Sequence, residues 1–229
     1  MKKIGLLLLA LCWTLTACTP ARDSAPTVTE PTTAETLATE GETADVPAES
    51  GKVVTPIPSQ LDLNNLDNCT VHVSLNEGDA YLDDTGAMQM KVTVYDSELY
   101  DMVDIAQLEV GDTIVMHGQN VPVTAFEQDE YGDKLINGEI RLRTDDDGVY
   151  YEVLENDSRY LYAVGQVTVQ VSDEFLLTDS SDLDAGEMTL YPGDFLIGDA
   201  RIRYPFSPMD TTMVIENGRI IAMNRVYVP

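Results

Sequence analysis

From residue 69 onward, apolar and polar residues alternate with period two, and this alternation confines the chain to half-buried strands. Cys69, Val71, Val73 and Leu75 interleave with Thr70, His72 and Ser74. Met88, Met90, Val92 and Val94 interleave with Gln89, Lys91 and Thr93. Ile140 and Leu142 alternate with Arg141 and Arg143, and Val167, Val169 and Val171 with Thr168 and Gln170. One apolar face per strand is the pattern of antiparallel sheets with one side on a core. Asp83-Asp84-Thr85-Gly86, Asn137-Gly138, Asp145-Asp146-Asp147-Gly148 and Asn217-Gly218 punctuate these runs as turns. Asn217-Gly218 predicts a two-residue type I′ hairpin, because both residues tolerate positive φ. It would set Glu216 opposite Arg219 and Ile215 opposite Ile220.

Helical signals are brief. Asp104 could cap one turn through Ile105-Ala106-Gln107-Leu108. Residues 192–200 suit a short helix or a strand equally. Leu108-Glu109-Val110-Gly111-Asp112-Thr113-Ile114 is a turn into a strand, common in small β-barrels and informative about architecture alone. The expected fold is all-β: an antiparallel sandwich or small barrel-like units of roughly nine to eleven strands, with at most one or two short helical turns. Residues 59–229 are expected to form one unit. A division near residue 163 is the alternative, since Gly165 opens a fresh alternating strand.

The preceding segment has a different composition. Residues 19–58 contain nine Thr and six Pro and no aromatic residue. Such a stretch buries too little apolar area to offset its ordering entropy, so it is expected to be a disordered tether. Its 40 residues could extend on the order of 130 Å.

At the N-terminus, Lys2 and Lys3 precede an apolar run from Ile4 to Leu15, followed by Thr16-Ala17-Cys18. Twelve residues are too few to span a ~30 Å hydrocarbon core, and the layout is that of an export signal. Leu15-Thr16-Ala17-Cys18 resembles the lipobox of bacterial lipoproteins. The resemblance implies that residues 1–17 are a cleaved signal peptide and that Cys18 carries acyl groups. It further implies anchoring in the cell membrane or outer membrane, facing outside the cytoplasm. Two or three acyl chains hold firmly where a single one is marginal.

Charge and cysteine use fit that setting. Residues 1–17 carry two of the 13 basic residues and none of the 40 acidic ones, so 40 acids face 11 bases after removal. Such an excess repels nucleic acid, whose recognition needs a cationic surface. Cys12 leaves with the signal and Cys18 is the lipid carrier, so Cys69 remains alone and no intramolecular disulfide can form.

No catalytic signature stands out, and no catalytic residue or cofactor is assigned. Cys69 and His72 fall three apart on a strand and so point to opposite faces, with Cys69 in the core phase. His117 sits in a turn-like run. Zinc is disfavoured by one free Cys and two distant His. The calcium candidates are Asp145 and Asp147 in one acidic turn and Asp182 and Asp184 in another, although neither turn fits the twelve-residue EF loop. The competing explanation is that these aspartates serve as turn formers. Tyr150-Tyr151 and Tyr160-x-Tyr162 could stack on a ligand, or simply suit half-exposed strands.

The function expected from these features is binding or scaffolding of an envelope protein or polymer by an acidic β-domain. The alternative is a carboxylate-using hydrolase acting on wall polymer or glycan. Replacing Cys18→Ala should move the protein out of the detergent phase and leave residues 1–17 uncleaved. Unchanged partitioning would refute the anchor.

Overall fold

The computed structural model describes residues 51–228. Residues 1–50, with the signal-like run, Cys18 and most of the tether, lie outside the described residues, as does Pro229. Fifteen strands and two short helices follow one another, beginning with β1 (Val53–Val54), β2 (Cys69–Ser74), β3 (Ala80–Leu82), β4 (Met88–Asp96) and β5 (Leu99–Tyr100). Next come α1 (Met102–Ala106), β6 (Thr113–Met116), β7 (Gln119–Pro122), β8 (Phe126–Gln128), β9 (Lys134–Ile136), β10 (Ile140–Thr144) and β11 (Tyr150–Val153). The chain ends with β12 (Tyr162–Ser180), β13 (Met188–Leu190), α2 (Pro192–Ile197), β14 (Thr211–Glu216) and β15 (Arg219–Val226). The fold is all-β, as the alternation predicts. The strand count exceeds the expected one because β1, β3, β5, β8, β9 and β13 are two or three residues long, too short for alternation to register.

Five strands close a barrel. β14, β2, β4 and β12 lie side by side, and β15 completes the ring between β12 and β14. The return of β14 to lie beside β2 is a Greek key. Oligonucleotide- and oligosaccharide-binding folds also use a five-stranded Greek-key barrel, an architecture shared by many unrelated activities. Nineteen-residue β12 makes closure possible. Its first half runs antiparallel to β4, and from Gln170 onward it runs parallel to β15, with a register shift between Val171 and Leu176. The alternating residues Val71, Val73, Met90, Val92, Val94 and Val169 point into the barrel and pack with Phe175, Phe206, Met213 and Ile220.

A second module is formed by the chain inserted between β4 and β12, completed by β1 from the N-terminal side. Its core gathers Val54, Tyr100, Ile105, Leu108, Ile114, Ile136 and Leu142 under a three-stranded sheet (β1-β6-β7) and a five-stranded one (β5-β11-β10-β9-β8). A cut near residue 163 therefore divides nothing, because β4 before it and β12 after it are neighbours in one barrel. Residues 51–228 belong to one compact unit with two cores.

Three local expectations meet different outcomes. The final hairpin has the predicted register, Ile215 with Ile220 and Glu216 with Arg219, with Asn217 and Gly218 both at positive φ. α1 is capped by Asp101, whose carboxylate accepts from the Val103 and Asp104 amides, so Asp104 is not the cap. Asp104 instead pairs with Lys52 Nζ at 2.7 Å. Residues 192–197 are helical, with Pro192 pre-set for the first turn and Gly198 closing it in the left-handed region.

The tether boundary also moves. Residues 51–58, placed in the tether by their composition, are ordered. Val53 and Val54 pair in parallel with Thr113 and Ile114, and Ile57 bridges Leu99. Past them, Leu61, Leu63 and Leu66 pack on the barrel core. Leu63 lies so close to Gly165 that a Cβ there would come within 2.7 Å of it. Tertiary burial of a few aliphatic side chains thus overrides a disorder-prone composition. Val54 is 1 % exposed and Val53 58 %. Val54→Ala should therefore cost about 1.5–3 kcal/mol in urea unfolding. Val53→Ala should stay within about 0.5 kcal/mol. Equal effects would refute this account of the segment.

Candidate functional site

The inserted module concentrates the chemistry that the chain spreads out in sequence. The turn between β6 and β7 has two residues, His117 and Gly118, both at positive φ, with Met116 opposite Gln119. This tight turn projects the imidazole toward β11. Nε2 of His117 lies 2.6 Å from Glu152 Oε2 and donates to it. The Tyr160 ring stacks on the imidazole with centroids 4.1 Å apart. Tyr160 is held there because its amide donates to the Glu152 carbonyl. The His117 amide itself donates to both oxygens of Glu98. Tyr100, fully buried in β5, donates its hydroxyl to Glu98 at 2.8 Å, with the Val115 carbonyl 3.0 Å from the same oxygen. Burial first, and then the Glu98 hydrogen bond, push the Tyr100 phenol far above its ordinary range. The result is an oriented carboxylate–imidazole pair beside a second carboxylate, with one aromatic face as support.

The opposite face of the same sheet carries a charge lattice. Arg141 and Arg143 are two apart on β10 and share a face. Asp133, 4 % exposed, accepts from Arg143 Nε and Nη2 at 2.8–3.1 Å, and its Oδ2 lies 3.7 Å from Arg141 Nε. Asp157, in a left-handed turn position with φ 63°, bridges both guanidinium groups at 2.6 and 3.1 Å. The Arg143 hydrogen bond and the charge of Arg141 hold the Asp157 carboxyl below its usual range. Nearby, the Arg159 guanidinium lies 3.8 Å from the Tyr151 ring centroid.

The calcium candidates are kept apart and largely engaged. Asp145 caps its own turn by accepting from the Asp147 and Val149 amides, and its other oxygen meets Arg159 at 3.4 Å. Asp182 accepts from the Asp184 and Ala185 amides and pairs with Arg203 at 2.8 Å. Asp147 and Asp184 are exposed. Asp182 and Asp184 do line a cleft of about 580 Å³ at one end of the barrel, with Asp210, Arg203 and Arg225. Arg225 is engaged there by Asp210 and by the Arg203 and Pro205 carbonyls, and it lies over the Phe206 ring. Among the described residues, no three His, Cys, Asp or Glu side chains converge to hold a metal ion.

The thiol and the other imidazole are separate, as their strand phase requires. Cys69 is partly buried against the barrel core, and burial followed by the charge of Asp67 pushes its thiol up. His72 Nδ1 donates to the Pro208 carbonyl at 2.9 Å. Of the tyrosines, Tyr150 is core, Tyr151 and Tyr160 carry cationic or imidazole partners, and burial pushes the Tyr162 phenol up. No local pattern marks Glu98, Glu152, Asp133 and Asp157, because the imidazole and guanidinium groups and the turn amide that engage them lie 8 to 35 residues away. The one available signal was the pair Arg141 and Arg143 on a single strand face.

No helix among the described residues is long and apolar enough to cross a membrane. Comparison with protein-family models, curated proteins and solved structures finds no match to the chain.

The charge lattice yields a graded expectation. Asp133→Ala strips a buried acid from two guanidinium groups and should cost about 2–4 kcal/mol in urea unfolding. Asp157 is exposed, so its contribution is small and screened by solvent. Its folded pKa is lowered from 3.8, so its contribution is present above that value and is lost as pH falls through the folded pKa. Asp157→Asn should lower neutral stability by that small amount and leave stability below the folded pKa unchanged, so that the acid limb below about pH 4 becomes flatter. An unaltered acid limb would refute the Asp157 assignment.

Proposed function

We propose that this chain is a lipid-anchored protein of the bacterial envelope whose acidic β-unit binds or scaffolds another envelope component. Anchoring through acyl groups on Cys18 would place it on the cell membrane or outer membrane, facing outward. One observation carries the binding half of the proposal: the buried polar groups of the unit already satisfy one another, which leaves the acidic surface for recognition. Both cores are filled by apolar side chains, and every buried side-chain nitrogen or oxygen among the described residues has a hydrogen-bond partner. Seven of the ten basic residues after position 50 lie in ion pairs with neighbouring acids. The remaining acidic excess favours a partner that is cationic or polar and disfavours nucleic acid.

A second possibility is a carboxylate-using hydrolase of wall polymer or glycan. The observation in its favour is Glu98 and Glu152 on either side of His117, where an oriented imidazole could move a proton. Capture on the solubilised envelope separates the two. The full chain should recover a stoichiometric partner that is lost when residues 59–229 are deleted and kept in Glu152→Gln. Release of wall fragments by the full chain, abolished by Glu152→Gln, would favour the hydrolase instead. Recovery of nothing above background would count against binding.

A further inference from the structure

We infer that residues 51–67 form a tension-sensitive brace: a pull from the N-terminal side strips β1 from β6 and loosens the inserted module while the barrel stays closed. This rests on the anchored reading above, since only a fixed N-terminal side turns chain tension into load on the fold.

The contacts are arranged in series along the chain. Load entering at residue 51 first meets the inserted module. The Gly51 backbone is seated so tightly that a Cβ would fall 2.1 Å from the Gly111 carbonyl oxygen. The Lys52 amide donates to Asp112 at 2.7 Å, and the Lys52 carbonyl accepts from Thr113 at 2.9 Å. Lys52 Nζ pairs with Asp104 at the α1 end of the same module. Val54 then plugs the core beside Ile114 and Tyr100. The Ile57 amide donates to Leu99. Only afterwards does the chain reach the barrel, where Ser59 meets Asp96, Leu61, Leu63 and Leu66 pack, and Asp67 accepts from Gly218.

The two modules differ in what they lose if the brace comes away. β1 is a two-residue strand and supplies one fully buried side chain, so its pairing is the weakest link in the series. Its departure opens an edge on β6 and a hole in the second core. The barrel loses only an outer layer, because β4 and β12 remain joined through eight residue pairs. Asp96 and Tyr162, where the insertion leaves and rejoins the barrel, are themselves a pair. Tension carried along the chain therefore bypasses residues 97–161 and reaches them only through the contacts of residues 51–57, of which Val54 supplies the buried one. The brace couples tether extension to the order of the inserted module, which bears the His117–Glu152 pair.

Pulling the full chain between handles at its two ends tests this. A first reversible extension of up to about 6 nm, the length of 17 residues, should precede barrel rupture. Val54→Asp should abolish that step without altering the force of barrel rupture. It should also raise hydrogen exchange at least tenfold in β6 and β11 but not in β4 or β12. If Val54→Asp does not fold, Val54→Ala should lower the force of the first step. A single rupture, a first step indifferent to both variants, or equal loss of protection in both modules would overturn the inference. The Cys18→Ala partitioning result is independent: a failed anchor removes the source of load and leaves the step in place.

Discussion

Closure of the barrel by β12 is the constraint on which the rest of the molecule depends. A sheet of five strands needs each edge paired, and one nineteen-residue strand joins both barrel neighbours, pairing with β4 up to Gln170 and with β15 from Gln170 onward, while β13 pairs with its far half. The shift between Val171 and Leu176 falls within the pairing to β15, and Val171 and Phe175 stay buried across it. Because β4 and β12 are adjacent, the chain between them can leave and return at nearly one place. An insertion there costs the barrel little, which accounts for a second core carried as an appendage to the first.

Much of the acidity of the unit follows from its turns. Asp83, Asp101, Asp129, Asp145, Asp182 and Asp199 each accept from a backbone amide two residues further on. Carboxylates in this position replace the hydrogen bonds that a short loop cannot make with itself. Asp83, with hydrogen bonds from Thr85 and Gln89, is held down at about 2. A fold of short strands needs many such turns, so the composition reflects the architecture before any partner. The few guanidinium groups are then drawn to the aspartates that lie near them in space.

The inserted module combines these features. Its hairpin at His117, its β11 strand at Glu152 and its return segment at Tyr160 come from three separate stretches, joined only because the small second core holds the sheets together. The ordering of residues 51–58 extends that logic to the N-terminal side, since one buried valine and the pairing of β1 with β6 hold the approaching chain on the fold.

The sequence by itself determined what depends on neighbours along the chain. Period-two alternation marked the barrel strands, Asn217-Gly218 set the last hairpin and its register, and the phase of Cys69 against His72 kept the two apart. Leu15 to Cys18 supplied the motif from which the anchor is proposed. Tertiary structure alone decided the rest. Residues 192–197, which suit helix or strand equally by pattern, are helical in the fold, with Phe195 packed on the barrel core. The discontinuous barrel, the order of residues 51–58 and the meeting of His117 with Glu152 all rest on contacts between distant segments. Such contacts are set by which apolar faces share a core and leave no periodic trace in either segment, so local patterns could not announce them.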